Sequence, residues 1–470
     1  MSSPVILLEF NELSPTLMSR FIGQGHLPNF KKFADQSATF VTEAAERPPY
    51  LDPWIQWVTV HTGLNYTDHK LEHLDEGHTL DARRIWDYVS EQGDPVWVCG
   101  SMNVGYRPGV KGAVMPDPWA SHAAPTPAEL GDYYTFVQRN VQEYTNDRVP
   151  LTKADYLKFL AFMASHGLSS ATVTSIGKQL LSEKRGVDRW KRAVILDKLQ
   201  FDVFKAYYRK IQPRFSTFFL NSTAHYQHMY WRDMEPELFK VKQSVDPSEN
   251  HDAAILFGYQ EMDQMVGRFV ELAGADTTIV FATALSQQPY LKHEEEGGRH
   301  FYRPSNIDKV VEFAGVAAPY TVAPVMAHQF HLFLDSDEAA VRAEQSLLAL
   351  TVNGRRAMNM TRNAAGIIGG CMLYDDLPGD TELVNAAGAR IGFFDLFYKV
   401  EGMKSGMHHP DGLFWVRQPG RAPSKTESKV PLQDVAPTLL DLLGIQRPST
   451  MNGTSVLAAG QPREPVLVSK

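Results

Sequence analysis

The chain of 470 residues contains only two cysteines, Cys99 and Cys371, and both lie in apolar surroundings. Two cysteines cannot build a disulfide framework, and no Cys or His spacing fits a structural zinc site. We therefore expect both to be small buried hydrophobic residues. Runs rich in lysine and arginine are also missing, and the net charge is -8. Neither nucleic acid nor an anionic membrane surface is therefore an expected partner.

Long hydrophobic runs are absent as well, since no apolar stretch approaches the roughly 18 residues that a membrane span needs. The opening residues, MSSPVILLEFNEL, place no basic segment ahead of a short apolar run. We therefore expect no signal peptide and a cytoplasmic protein. With 43% hydrophobic and 21% charged residues, the composition is typical of a globular protein with a large core.

What the sequence does contain is an alternation of short apolar runs with segments of helical spacing. The runs predict buried strands at residues 5–8, 95–99, 215–220 and 278–282. Helical segments such as 14–34 and 251–272 lie between them. This order predicts an α/β/α sandwich around a mostly parallel central sheet.

Two regions depart from this alternation and are predicted to be insertions. Residues 125–212 show helical spacing with many charges, which predicts a helical cap. Residues 307–400 predict a second, small α/β insertion. The α/β core is then formed by residues 1–124, 213–306 and 401–470.

Polar residues follow the first predicted strand at once, and they are Glu9, Asn11 and Glu12. Ligands in open α/β sheets bind beyond the carboxyl ends of the strands, so these residues are candidates for a site. We interpret Glu9 and Asn11 as candidate catalytic residues. Glu12 is more simply explained as a helix start, where a carboxylate favours the positive end of the helix dipole.

A proline-rich segment, PPYLDPWIQWVTVHTG, carries a third candidate catalytic residue, Asp52. Aspartate can act as a nucleophile or as a general base. It can equally cap a helix that starts at Pro53, and the sequence leaves both roles open. Trp54 is a candidate for stacking on a substrate ring, with a place in the core as the alternative.

Four segments, in order, resemble the alkaline phosphatase superfamily and, within it, the type I phosphodiesterase/nucleotide pyrophosphatase group. They are VILLEFNEL, the pair Thr62-Gly63 followed by His69, FFLNSTAHYQHMYW, and GMHHPDGLFW with the closing DVAPTLLDLLGI and MNG. The resemblance implies the sandwich fold of that family. It also implies phosphoryl or sulfuryl transfer, which in the family is aided by two metal ions, commonly zinc.

The same resemblance implies that much of the usual site is missing. The aspartate of the family's first strand falls on Asn11, and the aspartate of its Asp-x-x-x-His motif falls on Ala224. The family's Ser-Asp-His falls near residues 283–285, which carry no ligand. The nucleophile position falls on Pro53, which has no attacking group.

Two histidines, His228 and His408, match family ligands that belong to one metal site, and His225 is a candidate third ligand. Two or three imidazoles can hold one zinc ion with an open position. The resemblance therefore implies one divalent ion, zinc or manganese, while a site without metal stays open. Asn103, Asn221 and Gln287 are predicted to line the same crevice and bind substrate, and HEEEGGRH at 293–300 is predicted to be a solvated lid.

Three functions remain open at this point. The first is an enzyme that hydrolyses or transfers a phosphate or sulfate group of a small molecule, with one metal ion or none. The second is a metal-free enzyme of another reaction class in the same crevice. The third is a protein that binds a ligand without turnover. The sequence favours an enzyme, and it identifies neither the substrate nor the oligomeric state.

Overall fold

The computed structural model describes residues 3–145, 151–185, 188–242, 251–323, 329–400 and 403–457. Its strands are β1 Val5–Phe10, β2 Ala38–Glu43, β3 Val96–Cys99, β4 Gly112–Met115, β5 Phe215–Leu220, β6 Thr278–Ala282, β7 Ser286–Pro289, β8 Tyr302–Pro304, β9 Tyr320–Ala323, β10 Gln329–Leu334, β11 Thr351–Val352, β12 Arg355–Arg356, β13 Met358–Asn363, β14 Gly366–Cys371, β15 Glu382–Val384, β16 Arg390–Gly392, β17 Phe397–Lys399, β18 Gly406–His409, β19 Asp411–Arg417, β20 Ser424–Lys425 and β21 Val430–Pro431.

The helices lie mostly between strands that pair in the central sheet. They are α1 Pro15–Gly23, α2 Pro28–Ala34, α3 Pro53–Thr62, α4 Tyr66–His69, α5 Ile85–Glu91, α6 Gly131–Thr145, α7 Lys153–Ser165, α8 Ser170–Glu183, α9 Ala193–Ile211, α10 Ser222–Met234, α11 Ala254–Ala273, α12 Ile307–Phe313, α13 Asp337–Leu348, α14 Phe393–Leu396 and α15 Val435–Leu443. None of these described helices combines the length and apolarity that crossing a bilayer requires.

The central sheet has nine strands within the described residues, in the order β20-β2-β19-β6-β1-β5-β3-β4, with β21 also paired to β2. Strands β6, β1, β5, β3 and β4 run parallel to one another. Strand β19 runs antiparallel to both β2 and β6. The predicted mostly parallel sheet of an α/β sandwich is therefore confirmed.

The first strand explains why the sheet needs helices on both faces. Every residue of β1 is buried, and alternate side chains enter different hydrophobic clusters. Ile6, Leu8 and Phe10 face the cluster that contains residues of α1, α2, α9 and α11. Val5 and Leu7 face the cluster that contains residues of α3, α5 and α15. A strand buried on both faces is a continuous apolar run rather than an alternating one.

One predicted helix is two helices in the structure. The segment 14–34 divides into α1 and α2, and Gly25 between them has φ +80°. A left-handed backbone of this kind stops a helix and favours glycine. Pro28 then begins α2, as proline does at the first helical position. Both cysteines are buried and free, as predicted.

The predicted helical cap, residues 125–212, is partly a core layer of the sandwich. Helix α9 lies against the sheet, where Phe204 and Tyr207 pack on Trp97 with ring centroids 6.1 and 5.2 Å apart. This last helix of the segment therefore covers the sheet and is not part of a cap. That the other helices act as a cap stays a prediction.

The second predicted insertion has a hydrophobic cluster of its own, formed by side chains between Tyr302 and Phe397. Strands β13, β14, β10 and β9 form an antiparallel sheet, and β12, β11, β15 and β16 form another. Helix α13 packs on the first of these sheets. The boundaries of this segment as a separate folding unit stay a prediction.

The doubly buried strand β1 leads to the first testable prediction. Replacing the fully buried Leu8 by alanine should destabilise the protein by about 3 kcal/mol, because the lost contacts and the cavity add. The exposed Leu157 on α7 is the matched control, and Leu157→Ala should change stability by less than about 0.5 kcal/mol. Denaturant unfolding checks both values, and equal losses in the two variants would contradict this account of the core.

Candidate functional site

The candidate site begins where β1 ends, in a short turn that joins the strand to α1. The Asn11 N–H donates to the Leu220 carbonyl at the end of β5, and the Glu12 N–H donates to the Thr283 carbonyl just after β6. Glu12 has φ +62°, a left-handed conformation that is uncommon for a residue with a side chain. The turn is thus held by both neighbouring strands, and it sets the direction of the Glu12 side chain.

Glu12 meets two histidines from distant parts of the chain. Its Oε2 atom lies 3.1 Å from His228 Nε2 and 3.6 Å from His408 Nε2. His228 lies on α10, directly after β5, and His408 lies on β18. One ligand atom from each residue lies within 4.8 Å of the other two. This is a carboxylate and two imidazoles directed at one point beyond the carboxyl ends of the parallel strands.

The second ring nitrogen of each histidine faces an oxygen atom. His228 Nδ1 lies 3.3 Å from the Gly406 carbonyl oxygen, and His408 Nδ1 lies 3.2 Å from Asp52 Oδ1. A carbonyl or carboxylate oxygen can only accept a hydrogen bond, so Nδ1 carries the proton in both rings. Nε2 of each ring faces Glu12 and is the atom that could bind a metal ion in place of a proton, the orientation common in metal-binding histidines.

Two side-chain amides also donate hydrogen bonds to the Glu12 carboxylate. Asn11 Nδ2 donates to Glu12 Oε1 at 2.8 Å, and Gln287 Nε2 donates to Glu12 Oε2. Gln287 also donates to the Ala224 carbonyl at 3.0 Å, and Trp57 Nε1 donates to Asn11 Oδ1 at 2.8 Å. Each amide is therefore tied to a second element, which holds Glu12 in one position.

The charges of the site shift the pKa values of its members. Burial alone would raise the pKa of Glu12, but the attraction of His408 and His228 and the hydrogen bonds it accepts lower it from 4.5 to about 2. Burial opposes a charge on His408, yet Glu12 and Asp52 outweigh it and raise the pKa of His408 above its usual value. The site is thus a compact network in which the Glu12 and Asp52 carboxylates favour the charged form of His408.

Sequence reasoning missed Glu12, and its interpretation as a helix start is wrong. Helix α1 begins only at Pro15, and its first turn contains no acidic residue. The carboxylate, 2% exposed, turns back towards the strand ends instead. The available signal was its position directly beyond a buried strand, but the left-handed turn that directs the side chain was not foreseeable from residue types.

Asp52 stands where the sequence predicted, immediately before the helix that starts at Pro53. Its side chain accepts no N–H group of α3, so the helix-capping interpretation is wrong. The carboxylate contacts His408 instead. Its predicted role as nucleophile or general base stays a prediction.

The metal-binding prediction needs one correction, which concerns the third ligand. His225 lies three residues before His228 on α10, but its side chain is exposed and it is not in the group formed with His408. The turn after β1 supplies Glu12 to the position beside both imidazoles. The structure therefore groups Glu12, not His225, with the two histidines.

Asn103 is not available to a substrate, contrary to prediction. Its Oδ1 atom accepts from the Gly77 N–H at 2.6 Å, and its Nδ2 donates to the Trp54 and His73 carbonyls at 3.1 and 3.0 Å. The buried amide thereby links α3 to the loop that contains His73 and Gly77. Trp54 is half-buried, and its Nε1 donates to the Glu72 carbonyl at 2.9 Å. A substrate contact of Trp54 stays a prediction.

Glu9 lies on the opposite side of the turn from Glu12. It is fully buried in β1, and its Oε1 atom lies 2.8 Å from His61 Nε2 on α3. The His61 ring packs against Trp57 and Trp86. This pair is enclosed in the core, so Glu9 is not a catalytic residue of the site around Glu12. Asn221, by contrast, is half-buried at the site and accepts from Asn11 Nδ2 at 2.7 Å.

No protein-family model and no curated protein matches the chain. Two similar solved structures are phosphonoacetate hydrolase from Sinorhizobium meliloti 1021, in complex with phosphonoformate, and murine ectonucleotide pyrophosphatase/phosphodiesterase 5. Identities are 11% and 8%, TM-scores are 0.45 and 0.41, and each match covers 94% of this chain and 95% of the other.

With identities this low and TM-scores below 0.5, neither one supplies an argument about the reaction of this chain. That reaction has to be inferred from the residues around Glu12.

The low pKa of Glu12 leads to a prediction for acid stability. A group whose folded pKa is lowered stabilises the protein above its unfolded pKa and loses that effect as the pH falls through the folded value. A pKa lowered from 4.5 to about 2 corresponds to roughly 3 kcal/mol. Between pH 5 and 2, the wild type should therefore lose about that much more stability than Glu12→Gln.

The measurement is the free energy of unfolding of both proteins across this pH range. Glu338→Gln, a change at an exposed glutamate on α13, is the control and should follow the wild type. Parallel curves for the wild type and Glu12→Gln would show that the Glu12 carboxylate is not held by the two imidazoles.

Proposed function

We propose that the chain is an enzyme that hydrolyses or transfers a phosphate or sulfate group of a small molecule, with one divalent metal ion held by Glu12, His228 and His408. The observation that carries the proposal is the convergence of these three side chains beyond the carboxyl ends of the parallel strands. Ligand sites of open α/β sheets lie at that edge.

The donor set fits such an ion. Two imidazoles and one carboxylate are a zinc set that leaves a fourth position open for water or substrate. Glu12 bears its charge at neutral pH, and each histidine has its Nδ1 against an oxygen, which leaves Nε2 for the metal. Manganese is the alternative ion, since it also accepts carboxylate and imidazole ligands.

A bound divalent ion would polarise a phosphoryl or sulfuryl oxygen and neutralise charge that builds up during transfer. The chain's own residues would position the metal ligands. Asp52 orients His408, and Asn11 with Gln287 orients Glu12. Pro53 stands at the nucleophile position that the resemblance implies and has no attacking group, so the nucleophile would be water or the Asp52 carboxylate.

A second candidate function, a metal-free enzyme, is favoured by the contacts of His408. Its two ring nitrogens face two different carboxylates, Asp52 at 3.2 Å and Glu12 at 3.6 Å. This network compensates the charges without a metal ion, and a protonated imidazole between carboxylates can serve as a general acid. The first candidate requires a metal ion in the purified protein, and the second does not.

Metal content separates these functions, and the chain offers a matched pair of variants on one helix. Elemental analysis of the purified protein should find about one zinc or manganese ion per chain. His228→Ala should lose it, because a ligand is removed. His225→Ala, the same change on the same helix, should keep it, because His225 is outside the ligand group.

Turnover of phosphate esters and sulfate esters should then disappear in His228→Ala and persist in His225→Ala. No metal in the wild type, with turnover that survives chelation, would replace the metal-dependent proposal by the metal-free one. Metal binding without turnover of any ester would indicate a ligand-binding protein.

The contact between Asp52 and His408 gives a prediction about metal affinity. Removing a carboxylate that orients a metal-binding histidine typically weakens metal binding about 10–100-fold. Asp52→Asn keeps the size and removes the charge, so we expect a loss in that range when zinc is titrated against a competing chelator. Unchanged zinc affinity together with abolished turnover would instead identify Asp52 as the nucleophile or general base.

A further inference from the structure

The loop at residues 293–300 was predicted to be a solvated lid, and the structure shows that it is anchored. Glu294 is buried and accepts two hydrogen bonds from the Arg232 guanidinium, at 2.9 and 2.7 Å. Bidentate pairs of this kind are geometrically specific and strong. Arg232 lies on α10, the helix that also carries His228. The loop is therefore fixed to the same element as the candidate metal ligands.

A second contact brings the far end of this loop against the segment that leads into β18. Gly298 has φ +81°, and a Cβ atom added there would lie 2.5 Å from Met403 Sδ. A Cβ atom would force the Met403 thioether to move, and the left-handed backbone favours glycine here. Arg299 follows Gly298, and Lys404 follows Met403. The contact thereby places the two cationic residues on adjoining backbone segments, and Lys404 lies four residues before His408.

Arg299 and Lys404 have an unusual environment for cations. The Arg299 guanidinium lies 4.2 Å from the ring centroid of Tyr374, and the Lys404 ammonium lies 5.1 Å from that of Tyr290. Both cations are half-buried. Within the part of the chain that the structure describes, neither forms an ion pair or a side-chain hydrogen bond, although the chain has 54 acidic and 46 basic residues.

The charges around Lys404 connect it to the candidate site. Burial lowers the pKa of Lys404, while Asp52 and Glu12 attract its ammonium and Lys292 and Arg299 repel it. The ammonium is thus within electrostatic reach of the candidate metal ligands and of Arg299. Arg299 and Lys404 are half-buried, repel each other and have no carboxylate at ion-pair distance among the described residues, so they carry a desolvation cost that an anion would offset.

We propose that Arg299 and Lys404 form a subsite for a second anionic group of the substrate, beside the group held at Glu12, His228 and His408. The substrate class is then a small molecule with two anionic groups, one phosphate or sulfate and one further carboxylate or phosphate. This inference rests on the proposed function, since it extends that site. Arginine and lysine both bind such oxyanions, arginine as a planar fork and lysine as a point charge.

The test compares two unreactive ligands of equal length with the zinc-loaded protein. Propylphosphonate carries one anionic group, and 3-phosphonopropanoate replaces its methyl group by a carboxylate. Isothermal titration calorimetry should show that the second ligand binds about tenfold more tightly, which corresponds to about 1.4 kcal/mol. The double variant Arg299→Gln/Lys404→Gln should lose this preference and still bind one zinc ion per chain.

Lys309→Gln is the matched control, because Lys309 is an exposed lysine on α12, and it should keep the preference. Retained zinc binding shows that the double variant is folded around its site. A preference that persists in the double variant, or equal binding of both ligands by the wild type, would overturn the subsite and leave the proposed function standing. If the wild type binds zinc and neither phosphonate, the subsite and the phosphate-directed function both fall.

Discussion

The buried carboxylate of Glu12 is the constraint on which the rest of the site depends. A carboxylate that is 2% exposed is unfavourable unless charges and hydrogen-bond donors surround it. This chain surrounds it with two imidazoles and two amides, contributed by the β1 turn, α10, β7 and β18. Segments that are distant in sequence are therefore tied to one point, and the left-handed turn at Glu12 makes this possible.

The residues of the site form an inner group and an outer group. Glu12, His228 and His408 direct ligand atoms to the centre, while Asn11, Gln287 and Asp52 hold those three in place. Replacing the outer residues would leave the central atoms present but less well oriented.

The polarity of the surroundings also varies across the site. The Glu12 and Asp52 carboxylates lie at the centre, and two cations that form no ion pair among the described residues lie on adjoining segments. The loop that carries Arg299 is fixed by the Arg232–Glu294 pair and by the contact of Gly298 with Met403. A fixed loop holds a charge in one place, as recognition of a defined ligand requires, whereas a mobile lid would not.

The sequence by itself determined the sheet, the place of the site and part of its content. Continuous apolar runs such as β1 can be buried only between two helical layers, and His228, His408 and Asp52 were identified by motif and position. Only the tertiary structure decided what these residues contact. Glu12 was assigned to a helix start, Glu9 to the site and Asn103 to the substrate, because residue type and spacing do not reveal side-chain direction. The φ of Glu12, the direction of the Glu9 side chain and the internal hydrogen bonds of Asn103 depend on partners in other elements, such as Thr283, His61 and Gly77. Local sequence carries no information about these contacts.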